Sequence, residues 1–129
     1  MHKYEITIKE NHLDTFGHVN NATYLELFEQ ARWEALNEHG VSVKKITDDQ
    51  IGPVLLRVEL KFKKELLLRE NIEIRSELID RPNQKVMKVR QEMVKSCGEV
   101  ACEAIFDIGV MDLIKRKLVK LEGVWLELF

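Results

Sequence analysis

The hydrophobic residues of the chain follow two different periods. Apolar and polar residues alternate from 3 to 9, and this alternation predicts a half-buried strand. From Asn21 to His39 the period changes to that of a helix, and apolar residues cover more than one side of it, so we expect other structure to enclose this helix. We expect Asn20 or Asn21 to cap its start and Gly40 to end it.

Residues 41 to 53 are predicted to be a connection, and strong alternation returns after them. The residues expected to face inward on this second strand are Val54, Leu56, Val58, Leu60 and Phe62. Three further strands are indicated around residues 72–78, 87–93 and 100–110, the first of them broken at 81–83. Short turns separate these strands, so they are expected to pair antiparallel.

One long antiparallel sheet and one apolar helix can bury their apolar faces only against each other. We therefore expect an α+β fold, a single domain over residues 1–129 in which a five- to six-stranded antiparallel sheet wraps a long central helix. The tail, residues 113–129, is unusually apolar for a terminus. Either it forms a sixth strand that packs on the domain's own core, or an oligomer contact covers it.

Composition limits the classes of function. The chain has 129 residues, which suits one domain, and its net charge is −2 with 20 basic and 22 acidic residues interspersed. Nucleic-acid binding requires clustered basic residues, and a membrane span requires about 20 consecutive apolar residues, so neither partner is expected. The first residues lack the apolar segment of a secretory signal, and we expect a cytoplasmic protein.

The cysteines and histidines do not have the spacing of metal ligands. Cys97 and Cys102 have no partner pair, which excludes a zinc site built from two CxxC motifs. We expect two reduced structural thiols, one of them buried. The four histidines also lack metal-ligand spacing, so we expect neither a metal nor a cofactor.

The loop before the predicted helix contains the candidate chemistry. Asp14 is an isolated carboxylate, and a carboxylate in a partly dry cleft can act as a general base or as a nucleophile. The backbone N–H groups of Gly17, His18 and Val19 lie near a helix start, where amides attract negative charge, so they are predicted to form an oxyanion site. Alternatively, Asp14 caps a turn, Gly17 is an ordinary turn residue, and the His18 side chain is structural.

Residues 12–34, HLDTFGHVNNATYLELFEQARWE, resemble the motif of the hotdog-fold acyl-CoA thioesterases, the 4-hydroxybenzoyl-CoA thioesterase-like family. That motif reads Asp-x-Asp-x-x-Gly-His-Val-Asn-Asn, followed by a Tyr and by Glu-x-Ala-Arg. The matching residues are Asp14, Gly17, His18, Val19, Asn20, Asn21, Tyr24, Glu29, Ala31 and Arg32. His12 replaces the first Asp, and we expect this histidine to change the pH profile without abolishing activity.

The resemblance implies hydrolysis of an acyl-CoA, or a related acyl thioester, with coenzyme A as part of the substrate. Tyr24 and Glu29 become candidate substrate-binding residues, although a core role for Tyr24 and an ion pair between Glu29 and Arg32 are simpler explanations. Candidate ligands for the coenzyme A phosphates are Arg57, Lys61, Lys63, Lys64 and Arg90. The same residues can equally be the solvated face of strands.

One helix covered by one sheet leaves no deep pocket inside a protomer, so an acyl tunnel between two protomers is expected. The chain is therefore predicted to be a homo-oligomer, a dimer or tetramer whose sheets join edge to edge. The alternative function is a dimer of the same fold that binds an acyl-CoA or acyl-carrier ligand without hydrolysing it. Asp14 argues against that alternative, because a protein that only binds does not need this carboxylate.

Overall fold

The alternating segments form one antiparallel sheet in the computed structural model, which describes all 129 residues. Its strands are β1 (His2–Thr7), β2 (Ile51–Phe62), β3 (Asn71–Asn83), β4 (Val86–Lys95), β5 (Val100–Asp112) and the short β6 (Lys117–Leu118). The order across the sheet is β1-β3-β4-β5-β2, and β6 pairs with the end of β5. The expected α+β class with a curled antiparallel sheet is confirmed.

Helix α1 (Asn21–Glu38) has 18 residues, and its ends follow local capping chemistry. The Asn20 side chain accepts a hydrogen bond from the second backbone N–H of the helix at 2.9 Å. Gly40 has a φ of +78°, and the N–H groups of Gly40 and Val41 donate to carbonyls of the last turn. This left-handed ending with two crossed hydrogen bonds is a Schellman motif. Both predicted helix ends are correct to within one residue.

The concave side of the sheet packs on α1. The buried helix residues are Tyr24, Leu27, Phe28, Ala31, Ala35 and Leu36. Phe28 meets Phe106 of β5 edge to face, with ring centroids 5.8 Å apart. Burying a large apolar side chain contributes about 1.5–3 kcal/mol, so Leu27, Phe28 and Leu36 on this helix face each stabilise the fold by an amount of that order.

Two predicted boundaries are wrong. Residues 41–53 are not simply a connection, because helix α2 (Val43–Asp49) lies there and β2 already begins at Ile51. A helix of seven residues is too short to show a helical period in the sequence. The expected break at 81–83 is also wrong, since β3 continues to Asn83 through an irregular register. Such irregularities allow a proline within a strand.

The predicted inward face of β2 is largely uncovered. Its pairing with β5 is interrupted after Leu55, which leaves Leu56 as a bulge and shifts the alternation. The exposed fractions are 46% for Leu55, 47% for Leu56, 39% for Val58 and 55% for Phe62. Because β2 is an edge strand, it has a neighbour on one side only. The chain therefore presents an unpaired strand edge together with exposed apolar side chains.

The apolar tail packs on the protein's own core, as the first alternative for it predicted. Leu121 and Leu128 are buried, and Trp125 is among the half-buried residues that pack against the same cluster.

The expected pair of free thiols is also found, with Cys97 exposed and Cys102 buried. Neither helix combines the length and apolar character that a membrane span requires.

Candidate active site

Asp14 lies in a tight loop directly before α1. The loop is closed by a β-bridge between Leu13 and Val19, and the Asp14 N–H donates to the His18 carbonyl at 2.7 Å. The side-chain Oδ1 of Asp14 accepts hydrogen bonds from the N–H groups of Phe16, at 2.8 Å, and His18, at 3.2 Å. The turn-capping role is therefore present. Oδ2 makes no hydrogen bond within the chain, so one oxygen of this half-buried carboxylate is held and the other is available.

Two of the three amides predicted as oxyanion donors already have partners. The N–H of Gly17 donates to the Asp14 carbonyl at 3.2 Å, and that of His18 donates to Asp14 Oδ1. The N–H of Val19 has no partner within the chain. Gly17 itself has a φ of +79°, and a Cβ there would meet no atom within 4 Å. A glycine is required by the backbone conformation and not by crowding within the chain.

The first turn of α1 provides another available donor. The second and third backbone N–H groups of the helix donate to Asn20, one to its side chain and one to its carbonyl, each at 2.9 Å. The N–H of Asn21, the first residue of the helix, has no partner within the chain. The N–H groups of Val19 and Asn21 therefore have no partner within the chain, and that of Asn21 lies at the end of the helix dipole that favours negative charge.

The His18 side chain connects this loop to a second one. Its Nε2 lies 3.3 Å from Glu65 Oε1, in the segment that joins β2 to β3, and both side chains are more than half exposed, at 65% and 58%. The contact places residues 63–70 beside the motif loop. It supports the alternative that the His18 side chain has a structural role. Glu65 was not among the residues that the sequence pattern predicted for the site.

His12 has a local structural role. Its Nδ1 accepts a hydrogen bond from the Lys9 N–H at 2.9 Å and so caps the short 3-10 turn Glu10–His12. Nδ1 therefore carries no proton in this arrangement. The His12 carbonyl also accepts from the Asn20 N–H at 3.0 Å, which fixes the turn to the start of α1. No group of three His, Cys, Asp or Glu side chains is placed to hold a metal ion.

Tyr24 and Glu29 occupy different surroundings. Tyr24 is buried and packs edge to face on Phe62 of β2 at 5.0 Å, and burial raises the pKa of its hydroxyl. Glu29 is exposed and accepts a 3.3 Å hydrogen bond from the Trp33 indole. The predicted ion pair between Glu29 and Arg32 is wrong, because Arg32 Nη1 donates at 2.9 Å to Gln91 across the core.

Comparison with known proteins gives the family. Residues 8–129 match the family described as the thioesterase-like superfamily. The chain belongs to this superfamily. It is 29% identical to the long-chain acyl-CoA thioesterase FadM of Escherichia coli strain K12 over 119 residues, which are 92% of this chain and 89% of FadM. The resemblance drawn from residues 12–34 and the expected enzyme class, a thioesterase, are thereby confirmed.

Two solved structures have a similar fold, and the first of them is also named a probable thioesterase. The probable thioesterase YbaW of Escherichia coli has a TM-score of 0.83 and 29% identity, over 98% of this chain and 95% of that one. A Staphylococcus aureus protein, SAV2348, solved in complex with CoA, has a TM-score of 0.89 over 98% of this chain and 79% of that one. At 16% identity, the second likeness supports the fold alone.

The basic residues expected to bind coenzyme A do not form one free cluster in this thioesterase-like chain. Three of them lie near carboxylates: Lys63 near Glu103 at 3.7 Å, Lys64 near Glu99 at 3.4 Å, and Arg90 near Glu77 at 3.0 Å. Arg57 and Lys61 are exposed and have no ion-pair partner. The solvated-face explanation therefore fits Lys63, Lys64 and Arg90, while Arg57 and Lys61 remain free to meet a phosphate.

A polar groove of about 930 Å³ adjoins the motif loop and was not predicted. Residues that line it include Thr7, Lys9, His12, Asn71, Lys95 and Ser96. Lys95 has a carboxylate partner, Glu70, at 3.5 Å, whereas Lys9 has none. These residues come from well-separated parts of the sequence, so no local motif could have indicated the groove.

Proposed function

We propose that the chain hydrolyses acyl-CoA thioesters and that Asp14 is the reacting carboxylate. Membership of the thioesterase-like superfamily and the likeness to FadM, which is named an acyl-CoA thioesterase, support this reaction. The observation that carries the role of Asp14 is its divided hydrogen bonding, with Oδ1 held by two backbone amides and Oδ2 without a partner. A carboxylate fixed through one oxygen presents the other in a defined direction.

In the proposed reaction, Oδ2 acts on the thioester in one of two ways. It takes a proton from a water molecule that attacks the carbonyl carbon, or it attacks that carbon itself and the resulting anhydride is hydrolysed. In both cases the carbonyl oxygen gains negative charge, the C–S bond breaks and the thiolate leaves. The thiolate becomes the thiol by taking up a proton, from Asp14 in the first route and from water in the second. Proton transfer by a positioned base contributes about 10²–10⁴ to the rate.

The oxyanion is proposed to form beside the free amides of Val19 and Asn21. Of the three backbone donors predicted from the sequence, Gly17 and His18 are engaged within the loop and Val19 is unpaired, and the N–H of Asn21, which was not among them, is also unpaired. Asn21 begins α1, so its N–H also has the partial positive charge of a helix start. Loss of one such donor typically costs about 10²–10³ in rate.

We also propose that two copies of the chain pair through β2 and complete the site between them. The support is the unpaired β2 edge and its exposed Leu55, Leu56, Val58 and Phe62. Phe62 packs on Tyr24 in the first turn of α1, so a partner on β2 would lie near the helix start. Sedimentation equilibrium is expected to give a dimer or larger for the wild type and a weakened assembly for Val58→Lys. A wild-type monomer at micromolar concentration would refute this part.

The test of mechanism is a pair of substitutions at Asp14. Asp14→Asn retains an Oδ1 that can accept both loop hydrogen bonds, but it lacks the carboxylate. Asp14→Ala loses the loop contacts as well. Turnover of acyl-CoAs of graded chain length, followed by released thiol, is expected to fall by about 10² or more in Asp14→Asn, with unchanged circular dichroism and denaturant midpoint. Near wild-type turnover by folded Asp14→Asn would exclude the proposed role.

A wild-type protein that binds acyl-CoA but releases no thiol would instead favour the non-hydrolytic binding protein. The observation in favour of that reading is that the turn-capping role of Asp14 is satisfied without catalysis. Measuring binding and thiol release on the same preparation therefore separates the two functions.

A further inference from the structure

Arg32 is a half-buried cation without a direct ion-pair partner, although the charge of Glu29 lies near enough to favour its protonated form. The other half-buried lysines and arginines each lie 2.6–3.5 Å from a carboxylate; they are Arg75, Lys88, Arg90 and Lys95. Arg32, also half-buried, has no carboxylate partner within 4.0 Å, and its one hydrogen bond runs from Nη1 to Gln91 Oε1 at 2.9 Å. Withdrawing a charge from water without pairing it is costly.

The rest of the Arg32 side chain borders an aromatic ring on one side and a cavity on the other. One face lies over the Phe106 ring, with the central carbon 4.4 Å from the ring centroid. Burial lowers the pKa of Arg32 to about 10, so the group stays charged at neutral pH. The side chain also lines a cavity of about 220 Å³. A guanidinium has five N–H donors, and only one of them makes a hydrogen bond within the chain.

The side chains that line the cavity are apolar apart from those of Glu29 and Arg32, and Phe129, the last residue of the chain, is among the lining residues. Its apolar lining includes Trp33, Leu36, Met87, Ile108 and Leu128, together with Leu55 of the β2 edge on which a second copy is proposed to sit. Glu29 is an exposed residue whose carboxylate is held by the Trp33 indole, so it stands at the solvent side of the cavity.

We infer that this cavity binds a small monocarboxylic acid, with its carboxylate on the Arg32 guanidinium and its apolar body among the surrounding side chains. A carboxylate matches the planar fork of an arginine, and the apolar lining matches a short alkyl or aryl group. The site is separate from Asp14. Arg32 lies eleven residues beyond Asn21 on α1, or about 16 Å along the helix axis at 1.5 Å per residue.

The test measures binding and needs no turnover, so it is independent of the proposed hydrolysis. Isothermal titration calorimetry at neutral pH compares hexanoate with hexanol, which has a similar apolar body but no charge. The wild type is expected to bind hexanoate at least about tenfold more tightly, the scale of one hydrogen bond to a charged group. Equal affinities for the two probes would overturn the inference.

Four variants test which residues set the preference. Arg32→Met should reduce hexanoate affinity to that for hexanol, whereas Arg32→Lys should keep a weaker preference because the charge remains without the planar fork. Glu29→Gln should tighten hexanoate and leave hexanol unchanged, because it removes a like charge from the cavity. Asp14→Asn should leave both affinities unchanged. Wild-type hexanoate affinity in folded Arg32→Met, or loss of binding in Asp14→Asn, would contradict the assignment.

Discussion

Replacing Gln91 by leucine tests the buried polar contact between helix and sheet. Gln91 is completely buried; its Nε2 donates to the Phe28 carbonyl at 3.1 Å and to Ser76 Oγ at 2.9 Å, and its Oε1 accepts from Arg32 at 2.9 Å. Leucine is close in size but satisfies none of these groups. A hydrogen bond to a charged group contributes about 1.5–3 kcal/mol and a neutral one about 0.5–1.5 kcal/mol. We therefore expect Gln91→Leu to lower the free energy of unfolding by about 3–5 kcal/mol.

The assay is urea unfolding followed by circular dichroism and fluorescence, at one fixed protein concentration because association would add to apparent stability. Ser76→Ala is the matched control, and it should cost only about 1 kcal/mol because it removes one neutral hydrogen bond. A Gln91→Leu protein within about 1 kcal/mol of the wild type, at an unchanged slope with urea, would refute the reasoning. It would mean that the fold does not depend on this network.

Two further outcomes follow from the structure. Gly17→Ala should lower the free energy of unfolding by about 1–2 kcal/mol, because φ is +79° although a Cβ would meet no atom within 4 Å; an unchanged denaturant midpoint would contradict this. Near pH 8, a disulfide reagent should label Cys97 alone in the folded protein, because Cys102 is buried and burial raises its pKa to about 12. Rapid labelling of both thiols would show that the core around Cys102 opens.

The sequence predicts well those features that depend on neighbouring residues. Both ends of α1 follow from Asn20 and Gly40, since a cap acts within a few residues of its own position. The inward face of β2 was predicted less well, because alternation shows that one side of a strand is apolar but not what covers it. That depends on the position of β2 at the sheet edge, which only the complete topology determines.

In the candidate site, too, the sequence predicts what neighbouring residues determine and misses what depends on the folded structure. The motif points to Asp14, but which amides remain free depends on hydrogen bonds inside the loop. The side chain of Asp14 accepts a hydrogen bond from the His18 N–H, while the backbone N–H of Asn21 stays unpaired. The expected partner of Arg32 was wrong for a related reason. Helical spacing favours Glu29, yet the guanidinium bonds Gln91, which is 59 residues away in the sequence and adjacent only after folding.

The geometry also explains why the proposed site and the proposed pairing depend on each other. Amides stabilise an oxyanion strongly only where water is excluded. In the single chain the motif loop is open, since Phe16 is 84% exposed, and the neighbouring Phe62 on the β2 edge is 55% exposed. Asp14 and the start of α1 are therefore already positioned by hydrogen bonds within the chain, whereas the apolar enclosure is not. A second copy seated on β2 would supply that enclosure, so association is expected to affect turnover more than it affects the structure of the loop.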